Sequence, residues 1–397
     1  MKILHTGDWH LGCSLGSEKR FEEFDALLEH LVSVLREEEI GAVIIAGDVF
    51  DSHLPPNRAA EQYYRFLLQA ARAGVTNIIV TGGNHDSAAY LEAPREILKY
   101  LSVHVFANAS ADCSQMVVEL KNQDGSTAAL VGAVPYLHER DLLVVEGGQS
   151  GMERESALRH AVLAYYRRMA ETLEEINASV PHIVTGHLFV TEKQEKNDSW
   201  IGTLMSIAAA EFPGSVDYLA LGHLHDAHTL KTDGKTCIRY SGAPLNVSFR
   251  ELEVPKSLTV IDTDDMANIR EIPLPSFQDM RLLKGSRQEI EKELEALCRE
   301  DHPVWCSVEN TGDYEPGLSE MLNTLIRGSS VKILFCRNRS DNPAVLGRLP
   351  EERHLADLAP AEVFKLLLKE HDISGDEADE LLEAFKKIET SLCEDED

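Results

Sequence analysis

The sequence predicts an α/β protein: a sandwich of two mixed sheets flanked by helices, followed by a small α+β module and two terminal helices. Two observations carry this expectation. Strand-length apolar runs alternate with stretches of helical spacing, the pattern of a largely parallel sheet covered on both faces. Each such run also stops abruptly at a glycine-flanked polar cluster, and in α/β sheets ligands gather beyond the carboxyl ends of the strands.

The elements follow in order. Lys2-Ile3-Leu4-His5 is strand-like and ends at Thr6-Gly7-Asp8-Trp9-His10-Leu11-Gly12. There Gly7 is expected to make the turn, and strand alternation to send Asp8 and His10 to one side. Phe21, Phe24, Leu28, Leu31 and Leu35 mark a helix over 21–39. Ala42 to Ala46 is a buried strand ending in Gly47-Asp48-Val49-Phe50-Asp51. A helix over 58–72 leads to a strand over 77–81, which ends in Gly82-Gly83-Asn84-His85-Asp86, and a further helix is expected over 90–101. Two strands joined by a turn at Asn122 to Ser126 precede a long helix over 153–176. A strand over 182–185 delivers Gly186-His187, and one over 217–221 delivers Gly222-His223-Leu224-His225. A hairpin around Thr232-Asp233-Gly234 and strands near 258–262 and 269–272 are expected to complete the second sheet. Pro273 to Asp279 reads as a linker. Residues 280–337 then read strand, helix, strand, helix, strand, and a polar irregular stretch leads to helices over 360–370 and 376–392. Ser374 and Glu377 have capping-box spacing for the last of these. The expected domains are 1–275, 276–340 and 341–397.

Composition excludes several classes. The 397 residues suffice for more than one domain, and no apolar run approaches the roughly 20 residues of a membrane span. Lys2 to His5 runs straight into Asp8, so no secretion signal is read and the cytoplasm is the expected location. Seven cysteines without a Cys-x-x-Cys pair point to reduced thiols. The net charge of −29 opposes autonomous binding to DNA, a polyanion, so metals or a basic partner must neutralise phosphates.

Asp8, His10, Asp48, Asn84, His187, His223 and His225 all stand at strand ends close to glycine. Carboxylate, imidazole and carboxamide donors suit divalent manganese, iron or zinc. Seven donors exceed one ion and suit two, with one carboxylate bridging. Such a pair clamps the attacking and leaving oxygens of an in-line phosphoryl displacement. His5, on a buried strand, reads as a core histidine, and Cys13 as a small residue in a loop. His53 lies close enough in sequence to touch substrate.

The series GDWHLG, GDVFD, GGNHD, TGHL and GHLH resembles the calcineurin-like metallophosphoesterases. More narrowly, MKILHTGDWHLG, AGDVFD followed by Pro55-Pro56, GNHDS and ALGHLH resemble the nuclease-subunit family of bacterial SbcCD-type DNA-repair complexes. The resemblance extends to Leu358-Ala359-Pro360-Ala361-Glu362-Val363-Phe364. It implies a two-metal nuclease, exonucleolytic on double-stranded ends and endonucleolytic on single strands and hairpins, that hydrolyses phosphodiesters with a metal-activated water. Manganese is the implied ion and magnesium a poor substitute. Asp8, His10, Asp48 and His225 would hold one ion, and Asp48, Asn84, His187 and His223 the other. His85 would be the general acid. Asp51 stands where the archaeal relatives carry His, and the wider phosphatase pattern has a carboxylate there that accepts from the catalytic imidazole. A loop-capping Asp is the alternative. The implied partners are a DNA substrate and an SbcC-type coiled-coil ATPase gripped by the terminal helices. The implied assembly is a homodimer, paired through helices 58–72 and 90–101, within a heterotetramer. The rivals are a stand-alone phosphodiesterase or phosphatase acting on a small ester, and a binding scaffold with a degenerate site.

Overall fold

The computed structural model describes residues 1–142, 151–192, 206–232, 234–300 and 302–338, together with Leu382 and Phe385. The expected helices over 360–370 and 376–392 and the irregular stretch before them lie outside the described residues, apart from Leu382 and Phe385, both helical. So does Asp233 of the expected hairpin.

The strands of the two main sheets are β1 (Lys2–Thr6), β2 (Ala42–Ala46), β3 (Asn77–Thr81), β4 (Val103–Phe106), β5 (Val117–Lys121), β6 (Thr127–Gly132), β7 (His182–His187), β8 (Tyr218–Gly222), β9 (His228–Leu230), β10 (Cys237–Tyr240), β11 (Ser257–Asp262) and β12 (Asp265–Pro273). One sheet runs β12-β11-β1-β2-β3-β4 and the other β9-β10-β8-β7-β6-β5. Both are mixed. The inner pairs β1–β2, β2–β3, β6–β7 and β7–β8 are parallel, and β11 lies antiparallel on β1. The expectation that β11 and β12 complete the second sheet is therefore corrected: they extend the first. The apolar run from Leu258 to Ile261 specifies a buried strand but not its neighbour, and β1 offered an edge that needed covering.

Alternation along the first sheet explains the layering. Ile3, Ile44 and Ile79 face a core shared with the second sheet, and Leu4, Val43, Ile45, Ile78 and Val80 face the helices α1 (Phe21–Glu37) and α2 (Asn57–Arg72). On the far side of the second sheet, α3 (Gly151–Asn177) buries Val162, Tyr166, Met169 and Leu173. Each fully buried aliphatic side chain contributes about 1.5–3 kcal/mol relative to exposure. The helix expected over 90–101 is broken into Ala88–Glu92 and Arg95–Leu98, because Pro94 has no amide hydrogen and cannot continue a helix. Two short ribbons were not anticipated, Ser14–Leu15 with Glu18–Lys19 and Phe189–Thr191 with Ser206–Ala208.

The chain divides into two compact units. The first is Met1–Leu282 with Leu297–Ser307 and Gly328–Phe335, and it holds both main sheets. The second takes Leu283–Ala296, Val308–Arg327 and, among the described residues, those from Cys336 on. From Asp279 the order is strand, helix, strand, helix, strand, with Val304–Asn310 central in a three-stranded sheet. Ile290, Leu294, Leu318 and Leu322 are buried within the second unit.

Candidate metal centre

All seven predicted donors lie at the carboxyl ends of parallel strands, drawn from both sheets. Pairing of β1 with β2 continues past the strands: Asp8 N–H donates to Gly47 O, His10 N–H to Asp48 O, and Leu11 N–H to Val49 O. This ladder carries the two loops forward together. Asp8, His10 and Asp48 adopt φ of 51°, 49° and 48°, and His223 adopts 98°. Left-handed turns, rather than strand alternation, therefore aim Asp8 and His10, which corrects the simpler expectation. Gly7 does not make that turn. It permits close approach, since a Cβ there would lie 3.1 Å from Ala46 O. The demand is harsher elsewhere: a Cβ on Gly222 would stand 1.9 Å from the same oxygen, and one on Gly83 would stand 2.1 Å from Asp48 Oδ1.

The donor atoms converge. His187 Nε2 lies 3.2 Å from Asp48 Oδ2 and 3.0 Å from Asn84 Oδ1, which is 3.2 Å from His223 Nδ1. His10 Nε2 lies 3.2 Å from His225 Nε2 and 3.7 Å from Asp48 Oδ2. Two donors about 2.1 Å from one ion stand about 3.0–3.4 Å apart, so most of these spacings fit ligands sharing an ion. Donor atoms of Asp8, Asp48 and His187 lie within 4.8 Å of one another, as do those of His10, Asp48 and His85. Asp48 belongs to both sets. The first set joins Asp8 with His187, across the division the resemblance implies.

The surroundings prepare these groups for cations. Asp8 Oδ2 is buried without a hydrogen-bond partner, an orphan that a metal ion would satisfy. His187 Nδ1 donates to Ala46 O at 3.0 Å, so Nε2 is the nitrogen turned to the other donors, and a cation bound there would displace its proton. Burial works against charge on His187, but the Asp48 and Asp8 carboxylates prevail and raise it to about 9. Burial, and then the charge on His187, pushes His223 down to about 4, so that ring is a neutral donor at pH 7. Burial opposes ionisation of Asp48, yet His187 and His10 hold its carboxyl well below the usual range. The residues present therefore fit two divalent ions sharing a carboxylate.

His85 is exposed beside the donors, its ring 4.9 Å from that of His10 and nearly perpendicular to it. Its Nδ1 donates to the backbone carbonyl of Asp51 at 3.0 Å. The expected contact to the Asp51 carboxylate is not made: that group turns away, with Oδ1 3.5 Å from His10 Nδ1. His5 is fully buried and bonded to the Tyr218 hydroxyl at 2.9 Å, while His53 is exposed. Two supporting residues escaped the sequence reading. Asp86 accepts from the N–H groups of Val49, Phe50 and Gly83, pinning two donor loops together. Glu251 holds His225 Nδ1 at 3.2 Å. Only the aspartate in GNHD lay within a motif.

The chain matches the calcineurin-like phosphoesterase family over residues 1–227, and the Type 5 capsule protein repressor C-terminal domain over 276–372. The SbcD component of the nuclease SbcCD from Escherichia coli K12 is 33% identical over 387 residues, which cover 94% of either chain. This chain belongs to the SbcD family. The Rhodobacter capsulatus member is 34% identical over 69% of each chain, and the Bacillus subtilis member 30% over 66%. Within the SbcD family the chain is a metal-dependent phosphodiesterase that uses two divalent ions. No helix among the described residues is long and apolar enough to cross a membrane.

Proposed function

We propose that this chain is the manganese-dependent nuclease subunit of an SbcCD-type DNA-repair complex, acting exonucleolytically on duplex ends and endonucleolytically on single strands and hairpins. The convergence of seven donors about the shared carboxylate of Asp48 is the observation that carries this reading. Asp8, His10, Asp48 and His225 would hold one ion, and Asp48, Asn84, His187 and His223 the other. Imidazole-rich donors favour manganese over magnesium. When bound, the pair acidifies the attacking water and neutralises charge building on the phosphoryl oxygens.

The chain's own groups do the rest. With Nδ1–H tied to the Asp51 carbonyl, His85 presents Nε2 to the substrate and delivers the proton there to the leaving 3′ oxygen. Asp51 thus acts on His85 through its backbone, while its carboxylate faces His10. The Asp48 carboxylate also accepts from the backbone N–H of His85 at 2.9 Å, which ties the general acid's backbone to the shared carboxylate.

Residues 1–275 form the nuclease domain, 276–340 the capping domain and 341–397 the segment that binds an SbcC-type ATPase in the bacterial cytoplasm. Ile97 and Tyr100, 72% and 91% exposed, support pairing of two copies through this face, and a monomeric mass in light scattering would remove the dimer. The deciding experiment compares cleavage of a linear duplex by the ATPase-bound chain with nitrophenol release from a small bis-ester, both with manganese. Turnover of the bis-ester without any cutting of DNA would favour a stand-alone phosphodiesterase.

A further inference from the structure

The phosphoryl chemistry leaves one half-buried acid beside the centre, Glu251, without a role. Glu251 ends a short 3-10 turn, Phe249–Glu251, whose Phe249 is buried against Leu15, Met280 and Trp305. Its side chain is 13% exposed. Oε2 accepts from Lys256 Nζ at 2.8 Å and from Val247 N–H at 3.2 Å, contacts that a loop-closing glutamate would make anyway. Ser248 Oγ lies 3.5 Å from Oε1. Loop closure does not explain why Oε1 also lies 3.2 Å from His225 Nδ1. Nor does it explain why the same Lys256 Nζ donates to the backbone carbonyl of His225 at 3.2 Å. Ring and backbone of one predicted donor are thus gripped by a single ion pair.

We propose that Glu251, braced by Lys256, is a positioning residue that fixes His225 for metal binding, an inference that rests on the metal-centre reading above. A carboxylate on Nδ1 keeps the proton on that nitrogen, orients the ring and makes Nε2 a better donor. Here that nitrogen faces His10 Nε2 at 3.2 Å. The anchored Phe249 holds the turn, so the carboxylate meets the ring already placed.

The test uses the full chain with manganese alone, followed by calorimetry and by the electron paramagnetic resonance of free manganese. The wild type is expected to bind two ions. Glu251→Ala should weaken one of them about 10- to 100-fold and leave the other unchanged. Glu251→Gln keeps an acceptor for Nδ1–H and should recover most of that loss, which general damage to the fold would not allow. Two unchanged binding steps in Glu251→Ala would overturn the assignment and leave the metal centre standing. Wild-type protein that binds no manganese would instead overturn the metal-centre reading. Should Glu251→Ala fail to fold, Lys256→Ala takes its place: it should weaken one site and leave the other unchanged, and two unchanged binding steps in Lys256→Ala overturn the proposal.

Discussion

Asp8, His10, Asp48 and His223 are four of the six non-glycine residues at positive φ among the described residues. Each such conformation costs about 1–2 kcal/mol, so the fold holds its donors under strain that the ladder beyond β1 and β2 must offset. Residue types and their glycine neighbours made these donors legible in the sequence; the backbone conformation was not, because nothing in Asp-x-His distinguishes a pleat from a left-handed turn. Glu251 was equally hidden, 26 positions from His225 and inside no motif. The roles separate on substitution. Asp48→Ala should abolish manganese binding and turnover together. His85→Gln should bind both ions and lose at least about a hundredfold in cleavage. Two full manganese ions in the anomalous scattering of Asp48→Ala would refute the shared carboxylate. His5 supplies a stability test. Burial, and then the Arg239 charge, pushes it down to about 3. The unfolded chain therefore takes up a proton that the native state refuses between pH 6.5 and about 3. The stabilisation is complete above pH 6.5 and falls on acidification by up to about 1.4 kcal/mol per pH unit. In denaturant titrations at pH 7 and pH 5, wild type should lose more stability than His5→Leu; equal losses would exclude His5 as the cause.

At the scale of elements, strand-end loops from two sheets must approach within van der Waals distance, and glycines make that possible. Gly83→Ala should cost about 1–3 kcal/mol and displace Asp48, whose Oδ1 would lie 2.1 Å from the new methyl. Manganese titration and thermal melting of this variant check both effects, and intact affinity would show that the Asp48 loop can yield. The strand-helix alternation of the first hundred residues was readable because each element carries its own period. Sheet membership of β11 was not, since pairing is settled by partners far away in sequence. The break at Pro94 was there to be read: apolar spacing across 90–101 is helical, but a missing amide hydrogen outranks spacing.

For the whole molecule, the net charge of −29 sets the problem, since a chain so acidic needs help to hold DNA. Val363, Phe364, Leu367 and Leu368, and then Leu381, Phe385, Ile388 and Leu392, recur at helical spacing near the end of the sequence. Such stripes suit the groove of a partner that also brings basic surface. Deleting residues 358–397 should leave manganese-dependent hydrolysis of a small bis-ester unchanged. Co-purification with the ATPase and ATP-dependent cutting of duplex DNA should both be lost. Undiminished capture of the ATPase by the shortened chain would refute this.

The donor set straddles the sandwich, with Asp8, His10, Asp48 and Asn84 from the loops of one sheet and His187, His223 and His225 from the other. Ions seated there would act as rivets through two plates. Metal held at a hundred times its dissociation constant adds about 2.7 kcal/mol to folding stability, a large share of what a domain of this kind possesses. Scarcity of metal would thus be felt as shortened lifetime as well as idle enzyme. Starved of its ions, the protein would open more often and would be cut faster by proteases.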